Sequence, residues 1–257
     1  MAAIIALITD FGTEDGYAGA LKGRILTENS ALNVVDISHA IEPFNIRQAA
    51  YCLANAFTAF PAGTIFVVVV DPGVGTERKG LIIHSGNYIF IGPDNGVFSF
   101  VPPPTRVQKI DVKRLPWPVN ATFHGRDVFA PLAARLASGA DLPDCLKPVE
   151  DFRRLFNLQR WLDGDAVDLE VAHIDHFGNV LLNLHQSAVN PSFAPAKWVL
   201  FVKDLTVTKF LDTFGDAEKD EILFGWDSSG FLQIAQNRGN AARSLSLRIG
   251  DKVRLQR

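Results

Sequence analysis

The pattern of hydrophobic and polar positions divides the chain into two parts with different periodicities. In the first part, short apolar runs alternate with stretches whose apolar residues recur at helical spacing, which predicts a sheet covered by helices on both faces. In the second part, short strand-like runs follow one another between turn residues, as in a small β-barrel or sandwich. We therefore predict an N-terminal α/β/α sandwich domain with a mostly parallel sheet (residues 1–150) and a smaller C-terminal all-β barrel domain (residues 165–257).

Turn and capping residues bound the predicted elements of the first domain. Residues 64–70 (TIFVVVV) are the strongest strand candidate, because their β-branched density is typical of a central strand. Gly86 and Asn87 predict a hairpin turn between two further strands. Pro131 falls in the first turn of the last predicted helix, where proline is tolerated. The other strands are predicted at residues 4–9, 33–37, 81–84 and 88–91, and the helices at residues 17–28, 46–60 and 128–137.

The second domain is predicted to contain strands and no long helix. Its strands are predicted at residues 166–174, 180–183, 197–202, 222–224, 231–235 and 252–255. Pro143, Pro148 and Gly164 mark residues 140–164 as the connection between the two domains.

Composition narrows the functional classes. The chain has 257 residues, 47% of them hydrophobic and 21% charged, and a formal net charge of -3, so non-specific nucleic-acid binding has no electrostatic support. Cys52 and Cys145 are far apart and are predicted to be buried thiols in a reducing compartment. The apolar start of the chain lacks a basic segment before it, and no stretch has the length of a membrane span. We expect a cytoplasmic protein with no membrane partner.

Acidic residues follow two predicted parallel strands, at the edge where α/β sheets bind ligands. Asp10 follows the first strand and Asp71 follows the strand at residues 64–70. A carboxylate at such a place can accept hydrogen bonds from both hydroxyls of a ribose, although Asp10 could equally be a turn or helix-capping residue. The glycine-rich residues 71–78 lack the Lys-Ser/Thr of a phosphate-binding loop, so phosphate binding is disfavoured.

Histidines and a polar turn supply further candidates. His124 lies among small and polar residues before a predicted helix, and the sequence leaves it either structural or catalytic. Asp175 and Asn179 flank Phe177 in a turn after a strand. They are either plain turn residues or ligand contacts, with Phe177 stacking on a base. The histidines at 173, 176 and 185 lack companion cysteines and a zinc-binding helix motif, so we expect no metal site.

Five short segments together resemble one family over nearly the whole chain. They are residues 8–12 (ITDFG), 70–76 (VDPGVGT), 92–96 (GPDNG), 122–127 (TFHGRD) and 174–179 (IDHFGN). In this order they resemble the S-adenosyl-L-methionine (SAM) hydroxide adenosyltransferases, which are SAM hydrolases related to fluorinases and chlorinases. The resemblance implies a homotrimer in which the N-terminal domain of one subunit meets the C-terminal domain of the next around SAM. It also implies hydrolysis of SAM to adenosine and methionine without a cofactor.

The resemblance also implies roles for particular residues. The hydrolases' Asp-Arg-His set corresponds to Asp71, Arg78 and His124, which would orient and activate water, with Arg78 keeping Asp71 ionised and oriented. The halogenases have a tyrosine at the position of Asp71, a halide-contacting serine at that of Gly125, and a loop insertion that this chain lacks. These three departures favour water over halide.

The implied substrate contacts come from both domains. Asp10 would hold the ribose hydroxyls, and Phe44 would form a flat wall near the sugar in place of the halogenases' tryptophan. The remaining implied contacts are Asp15 and Asp175 to the methionine ammonium, Phe177 and Asn179 to adenine, and Ser228 and Ser229 to the methionine carboxylate. Two alternatives stay open at this point: a halogenase that forms 5′-halo-5′-deoxyadenosine, and a non-catalytic sensor of SAM or adenosine.

Overall fold

A computed structural model describes residues 3–155, 164–190, 194 and 197–257 of the chain. The chain divides into two compact units, Met1–Phe156 and Asn157–Arg257. The predicted connection at residues 140–164 falls partly on residues 156–163, which lie outside the described residues. In the first unit the strands are β1 (Ile4–Thr9), β2 (Asn33–Ser38), β3 (Ile65–Val69), β4 (Gly80–Ser85), β5 (Tyr88–Pro93), β6 (Arg106–Ile110) and β7 (Leu146–Pro148), and the helices are α1 (Tyr17–Glu28), α2 (Ile46–Ala56) and α3 (Ala130–Ala137).

The first unit contains one sheet of seven strands in the order β2-β1-β3-β5-β4-β6-β7. The first four of these strands pair in parallel, whereas β4 is antiparallel to both β5 and β6, and β7 is antiparallel to β6. Strand β6 therefore runs in the direction of the parallel block, and five of the seven strands share one direction. The prediction of a mostly parallel sheet is confirmed.

Helices cover both faces of this sheet because its central strands are apolar on both sides. In β1, Ile5 and Leu7 pack in one cluster with residues of α1 and α3, whereas Ala6 and Ile8 pack in a second cluster with residues of α2. The five residues of β3 are all buried. This arrangement confirms the α/β/α sandwich, and it follows from the unbroken apolar runs that a strand buried on two faces requires.

The second predicted helix is shorter than the sequence pattern indicates. It begins after Asn45, whose side chain accepts a hydrogen bond from the Gln48 amide, and its α-helical part ends at Ala56. A turn of 3₁₀-helix, Phe57–Ala59, follows, and Phe57 is buried against the sheet. The apolar spacing continues through this tighter turn, which explains why the predicted helix extended to residue 60.

Strands β6 and β7 were not predicted. Three consecutive prolines precede β6, and its central residues Gln108 and Lys109 are polar, although Gln108 is buried. Strand β7 has three residues and lies at the sheet edge inside the predicted connection. Both strands exist because β4 offers a free edge to β6, and β6 in turn offers one to β7, so their formation depends on tertiary pairing.

The second unit is a nearly closed antiparallel barrel. Its seven strands follow the order β11-β10-β14-β8-β9-β13-β12, and the two edge strands come together. Strands at 166–174 and at five further positions were predicted, whereas the three-residue β11 and the short α4 were not. The elements are β8 (Ala166–Ile174), β9 (Val180–His185), β10 (Val199–Val202), β11 (Leu205–Val207), β12 (Ile222–Trp226), β13 (Phe231–Gln236), β14 (Lys252–Gln256) and α4 (Ala241–Ser244).

Two further features bear on the functional class. Within the described residues, no helix combines the length and the apolar character that crossing a membrane would require. The described part of the chain also contains no group of three or more His, Cys, Asp and Glu side chains that could bind a metal ion.

The turn after β5 holds the end of β3. The buried Asn95 donates from Nδ2 to the Val70 carbonyl at 2.7 Å, and its Oδ1 accepts from the Val97 amide at 3.1 Å. One side chain therefore satisfies two buried backbone groups next to Asp71.

Replacing Asn95 with Ala should lower the free energy of unfolding by about 1–3 kcal/mol, because both backbone groups would lose their partner in a buried place. Urea denaturation would measure the change. The matched control is Asn87→Ala, since Asn87 is exposed in the turn between β4 and β5; its effect should stay within about 0.5 kcal/mol. Equal losses in the two variants would contradict the role assigned to Asn95.

Candidate active site

The two acidic residues predicted at strand ends leave the sheet at the same edge. Strands β1 and β3 are parallel neighbours, with Thr9 opposite Val69. Asp10 follows Thr9 directly, and Asp71 comes two residues after Val69. The parallel register therefore brings both carboxylates to the carboxyl edge of the sheet.

A tight loop folds back after β3 and places Arg78 on Asp71. The Val74 amide donates to the Asp71 carbonyl at 3.2 Å, and the Thr76 hydroxyl donates to the Gly73 carbonyl at 2.7 Å. Arg78 Nε donates to Asp71 Oδ1 at 2.8 Å, and Arg78 Nη2 donates to Asp71 Oδ2. The exposed fractions of the Arg78 and Asp71 side chains are only 10% and 5%. The pair is thus a two-pronged, largely buried ion pair.

The same guanidinium reaches His124. Arg78 Nη2 lies 2.9 Å from His124 Nδ1. Because a guanidinium can only donate, Nδ1 must accept, and the neutral imidazole then carries its proton on Nε2. Burial, followed by the charge of Arg78, lowers the pKa of His124 below its ordinary value of 6.5, against the smaller raising effects of Asp71 and Asp127. His124 is therefore a neutral imidazole with an Nε2–H donor at neutral pH.

A glycine allows the two loops of this set to meet. Gly75 has a φ of +77°, and a Cβ added there would lie 2.7 Å from the carbonyl oxygen of Ala121. Ala121 precedes His124 by three residues. The close backbone approach therefore fixes the distance between the loop that carries Arg78 and the segment that carries His124.

The segment that carries His124 begins a π-helical turn, Gly125–Phe129, which leads into α3. In a regular helix the Asp127 carbonyl would accept from the amide of residue 131, but Pro131 has no N–H. Trp117 fills this place, since its indole Nε1 donates to the Asp127 carbonyl at 2.8 Å. The Asp127 carboxylate in turn accepts from the Asn120 amide at 2.8 Å. This bracing has no sequence signal, because it joins residues ten positions apart.

Gly125, which follows His124 directly, is surrounded by apolar side chains. A Cβ at this position would lie 3.3 Å from Val69 Cγ1 and 3.4 Å from Leu21 Cδ1 and Phe11 Cζ. A side chain at position 125 would therefore meet hydrocarbon groups of β3, α1 and the end of β1. Gly125 itself is buried.

Asp10 is bound to the exposed residue Phe44. The Phe44 amide donates to Asp10 Oδ2 at 2.9 Å, and Phe44 has a φ of 68° with 69% of its surface exposed. Asp15 is exposed in the loop before α1. Tyr17, at the start of α1, packs edge-on against Phe123 with ring centroids 5.6 Å apart. Thus, in the first unit, Arg78 contacts both Asp71 and His124, and Phe44 donates to Asp10.

In the second unit the predicted adenine and ammonium contacts form one turn after β8. Asp175 Oδ1 accepts from the amides of Phe177 and Asn179 at 2.9 and 2.8 Å, and Asp175 Oδ2 accepts from Asn179 Nδ2 at 2.8 Å. Phe177 is 74% exposed. Asp175 therefore organises this turn, and the turn presents the Phe177 ring outward. The assigned ligand contacts of all three residues stay predictions.

Ser228 and Ser229 lie in the turn between β12 and β13. Asp227 Oδ1 accepts from the Ser229 amide at 2.9 Å, and the ring of His185 bonds to the Ser229 carbonyl through Nε2 at 2.8 Å. Ser228 is exposed. The backbone of this turn is thus held from two sides, and the role of its hydroxyls stays a prediction.

Comparisons with known proteins identify the family of this chain. The N-terminal domain model of the SAM hydroxide adenosyltransferases matches residues 5–145, and the C-terminal domain model matches residues 169–254. The chain belongs to this family. The matched ranges contain Asp71, Arg78 and His124 as well as the turn at Asp175.

Relatives in the family match along nearly their whole length. A protein of Methanocaldococcus jannaschii named (R)-S-adenosyl-L-methionine hydrolase is 34% identical over 98% of this chain and 95% of its own. One of the same name from Thermus thermophilus is 36% identical over 98% of both chains. A fluorinase of Actinopolyspora mzabensis is 27% identical over 99% of this chain and 97% of its own. A crystal structure of an uncharacterised Thermotoga maritima protein superposes with a TM-score of 0.84, at 34% identity over 98% of this chain and all of the other.

The bond from Arg78 predicts how His124 titrates. We expect the neutral Nε2–H form of wild-type His124 to predominate at pH 6.5, because its pKa is lowered below that value. Arg78→Gln should raise that pKa, since the variant removes a neighbouring positive charge and leaves the raising effects of the two aspartates. Nitrogen-detected NMR of labelled histidines across the pH range would show both the tautomer and the shift.

A second histidine offers the matched control. Burial and then the charge of Arg106 lower the pKa of His84, which lies in β4 away from the candidate site. Arg106→Gln should therefore raise the pKa of His84 and leave that of His124 unchanged. A pKa of wild-type His124 above 6.5, or an Nδ1–H tautomer, would contradict the assignment.

Proposed function

We propose that this protein hydrolyses S-adenosyl-L-methionine at the ribose 5′ carbon and releases adenosine and methionine. The observation that carries the proposal is the Asp71–Arg78–His124 set, a buried ion pair whose guanidinium also fixes a neutral imidazole. A module that only binds SAM has no need of this arrangement. The names of its relatives specify the (R) sulfonium, and we propose this epimer as the preferred substrate.

The reaction requires an activated nucleophile and no general acid. Water attacks the 5′ carbon, the bond from that carbon to sulfur breaks, and its electron pair goes to sulfur, which leaves as the neutral thioether of methionine. The difficulty therefore lies in holding water in line and removing its proton.

The donors and acceptors of the site define how water would be held. Each Asp71 oxygen accepts one hydrogen bond from Arg78 and has a further lone pair for a water proton. The Nε2–H of His124 can donate to the water oxygen. A water that donates to Asp71 and accepts from His124 retains one lone pair to direct at carbon, so His124 orients the water and does not act as the base.

Asp71 then receives the proton late in the reaction. A carboxylate is a weak base toward neutral water, and both Asp71 oxygens already accept hydrogen bonds from Arg78. Once the oxygen has begun to bond to carbon it acquires positive charge and becomes strongly acidic, and transfer to Asp71 becomes favourable. The proton passes from there to solvent.

Halide chemistry fits these residues less well. The resemblance places a halide-contacting serine at position 125 of the halogenases, whereas here this position is a glycine surrounded by hydrocarbon from Val69, Leu21 and Phe11. Asp71 would also place a negative charge next to an incoming anion, which is unfavourable in a buried site.

Product analysis tests the proposed reaction. Purified protein is incubated with each sulfonium epimer of SAM in water labelled with a heavy oxygen isotope. The products are separated by chromatography and identified by mass spectrometry. We expect adenosine that carries the label on its 5′ oxygen, formed faster from the (R) epimer. Halo-nucleoside formed in added chloride or fluoride would support the halogenase alternative, and tight binding of intact SAM would support the sensor alternative.

Two substitutions test the catalytic set. Asp71→Asn and Arg78→Gln should each lower kcat by about 10²–10⁴-fold while leaving the affinity for SAM largely unchanged, because they affect the water and not the substrate contacts. Asp144→Asn and Arg114→Gln form the matched control, since these residues make an exposed ion pair elsewhere in the same unit. Single-turnover kinetics and equilibrium binding would measure the two quantities. Unchanged kcat in both test variants would exclude this catalytic set.

We also propose that the protein is a homotrimer with sites formed between subunits, as the family resemblance implies. In that case inactive Asp71→Asn and inactive Asp175→Ala chains, mixed and allowed to exchange, should regain part of the wild-type activity, because some sites would combine two intact domains. Light scattering would give the oligomeric mass. Absence of regained activity in a mixture shown to exchange would contradict shared sites.

The expected cytoplasmic location stays a prediction, which cell fractionation would test.

A further inference from the structure

A buried histidine outside the catalytic set links the ends of β1 and β2. His39 is 6% exposed, and its Nδ1 lies 2.7 Å from the hydroxyl of Thr9, which is fully buried at the end of β1. Its Nε2 lies 3.0 Å from Asp36 Oδ1 in β2. Lys22 of α1 pairs with the other Asp36 oxygen at 2.5 Å. A continuous chain of polar contacts therefore crosses from α1 to the last residue of β1.

The Asp36 carboxylate assigns the directions in this chain, because it can only accept and His39 Nε2 must therefore donate to it, which leaves Nδ1 of the neutral ring to accept from the Thr9 hydroxyl. The Thr9 oxygen already accepts from the Phe11 amide at 3.2 Å, and the hydroxyl still has its proton to donate. Donation to His39 Nδ1 leaves the His39 proton on Nε2, where it meets the Asp36 carboxylate. Burial raises the pKa of Asp36, but the hydrogen bonds from Lys22 and His39, together with the charge of Lys22, lower this pKa by more, so the acceptor is charged at neutral pH.

Residues 39–44 contact the chain on both sides of Asp10. The side chain of His39 binds Thr9, immediately before Asp10, and the His39 carbonyl accepts from the Gly12 amide at 2.8 Å, two residues after it. Phe44, five residues beyond His39, donates its amide to the Asp10 carboxylate. The backbone of Asp10 and one of its oxygens are thus fixed by residues 39–44.

We propose that His39 is a positioning residue for ribose recognition, which acts by holding the Asp10 carboxylate in the orientation that accepts the two ribose hydroxyls. The inference rests on the proposed function, which assigns the ribose to Asp10. A carboxylate that binds two hydroxyls at once tolerates little rotation, so a partner that fixes the adjacent backbone controls affinity without touching the ligand. Such a role predicts a loss of binding that depends on the ribose hydroxyls.

The test measures binding of adenosine and 2′-deoxyadenosine to the full chain by titration calorimetry. His39→Leu should weaken adenosine binding by about tenfold or more, because it leaves the buried Thr9 hydroxyl without its partner. Thr9→Val, a smaller change, should weaken it by about fivefold. His39→Asn retains a polar group near the Nδ1 position and should restore most of the affinity. For 2′-deoxyadenosine, which lacks one of the two hydroxyls, all three effects should shrink to less than about twofold.

Two controls separate this role from a purely structural one. His84→Asn, in β4, should leave both affinities unchanged, and thermal unfolding would show which variants retain the fold. If His39→Leu does not fold, Thr9→Val carries the test. Equal weakening for both nucleosides, or no weakening in Thr9→Val, would overturn the inference while wild-type SAM turnover remained intact. Absence of wild-type turnover would instead contradict the proposed function, and the nucleoside comparison would still decide the role of His39.

Discussion

The ion pair between Asp71 and Arg78 is the interaction on which the candidate site depends. Both side chains are largely removed from water, and burying either charge alone would be costly. Each therefore requires the other, and the guanidinium also donates from Nη2 to His124 Nδ1. That single contact sets the imidazole tautomer and leaves Nε2–H as the donor of the ring. The electrostatic character of the site thus follows from one arginine that has two neighbours.

Backbone bracing surrounds this pair on several sides. Asn95 holds the carbonyl before Asp71, Gly75 allows the arginine loop to touch the His124 segment, and Trp117 supplies the donor that Pro131 lacks. The side of the site that would bind the sugar is built in the same way, with His39 bonded to the end of β1. In each case a side chain or a glycine fixes a loop or a helix start beside the candidate residues, which gives these groups the fixed geometry that positioning requires.

Much of the fold was predictable from local pattern, because β1, β3 and β8 are apolar runs or alternations that only a strand would produce, and α1 has a clear apolar stripe. The edge strands β6 and β7 were missed, since they form by pairing with a neighbour and carry polar or proline-rich sequences. The candidate residues Asp71, Arg78 and His124 were identified by family resemblance, and their mutual contacts required the fold. No sequence pattern could indicate that Trp117 replaces a missing helical hydrogen bond, or that the Asp175 carboxylate accepts hydrogen bonds from residues of its own turn.

The left-handed conformation of Phe44 has a consequence for how the protein could be altered. A residue with a side chain has a higher energy there than glycine, by about 1–2 kcal/mol, yet the position carries an exposed aromatic ring whose amide is bonded to Asp10. Glycine would relax the backbone and remove the ring. Selection for thermostability alone would therefore favour loss of this ring, and under the proposed contact of Phe44 with the sugar, heat resistance and substrate recognition are opposed at this one residue.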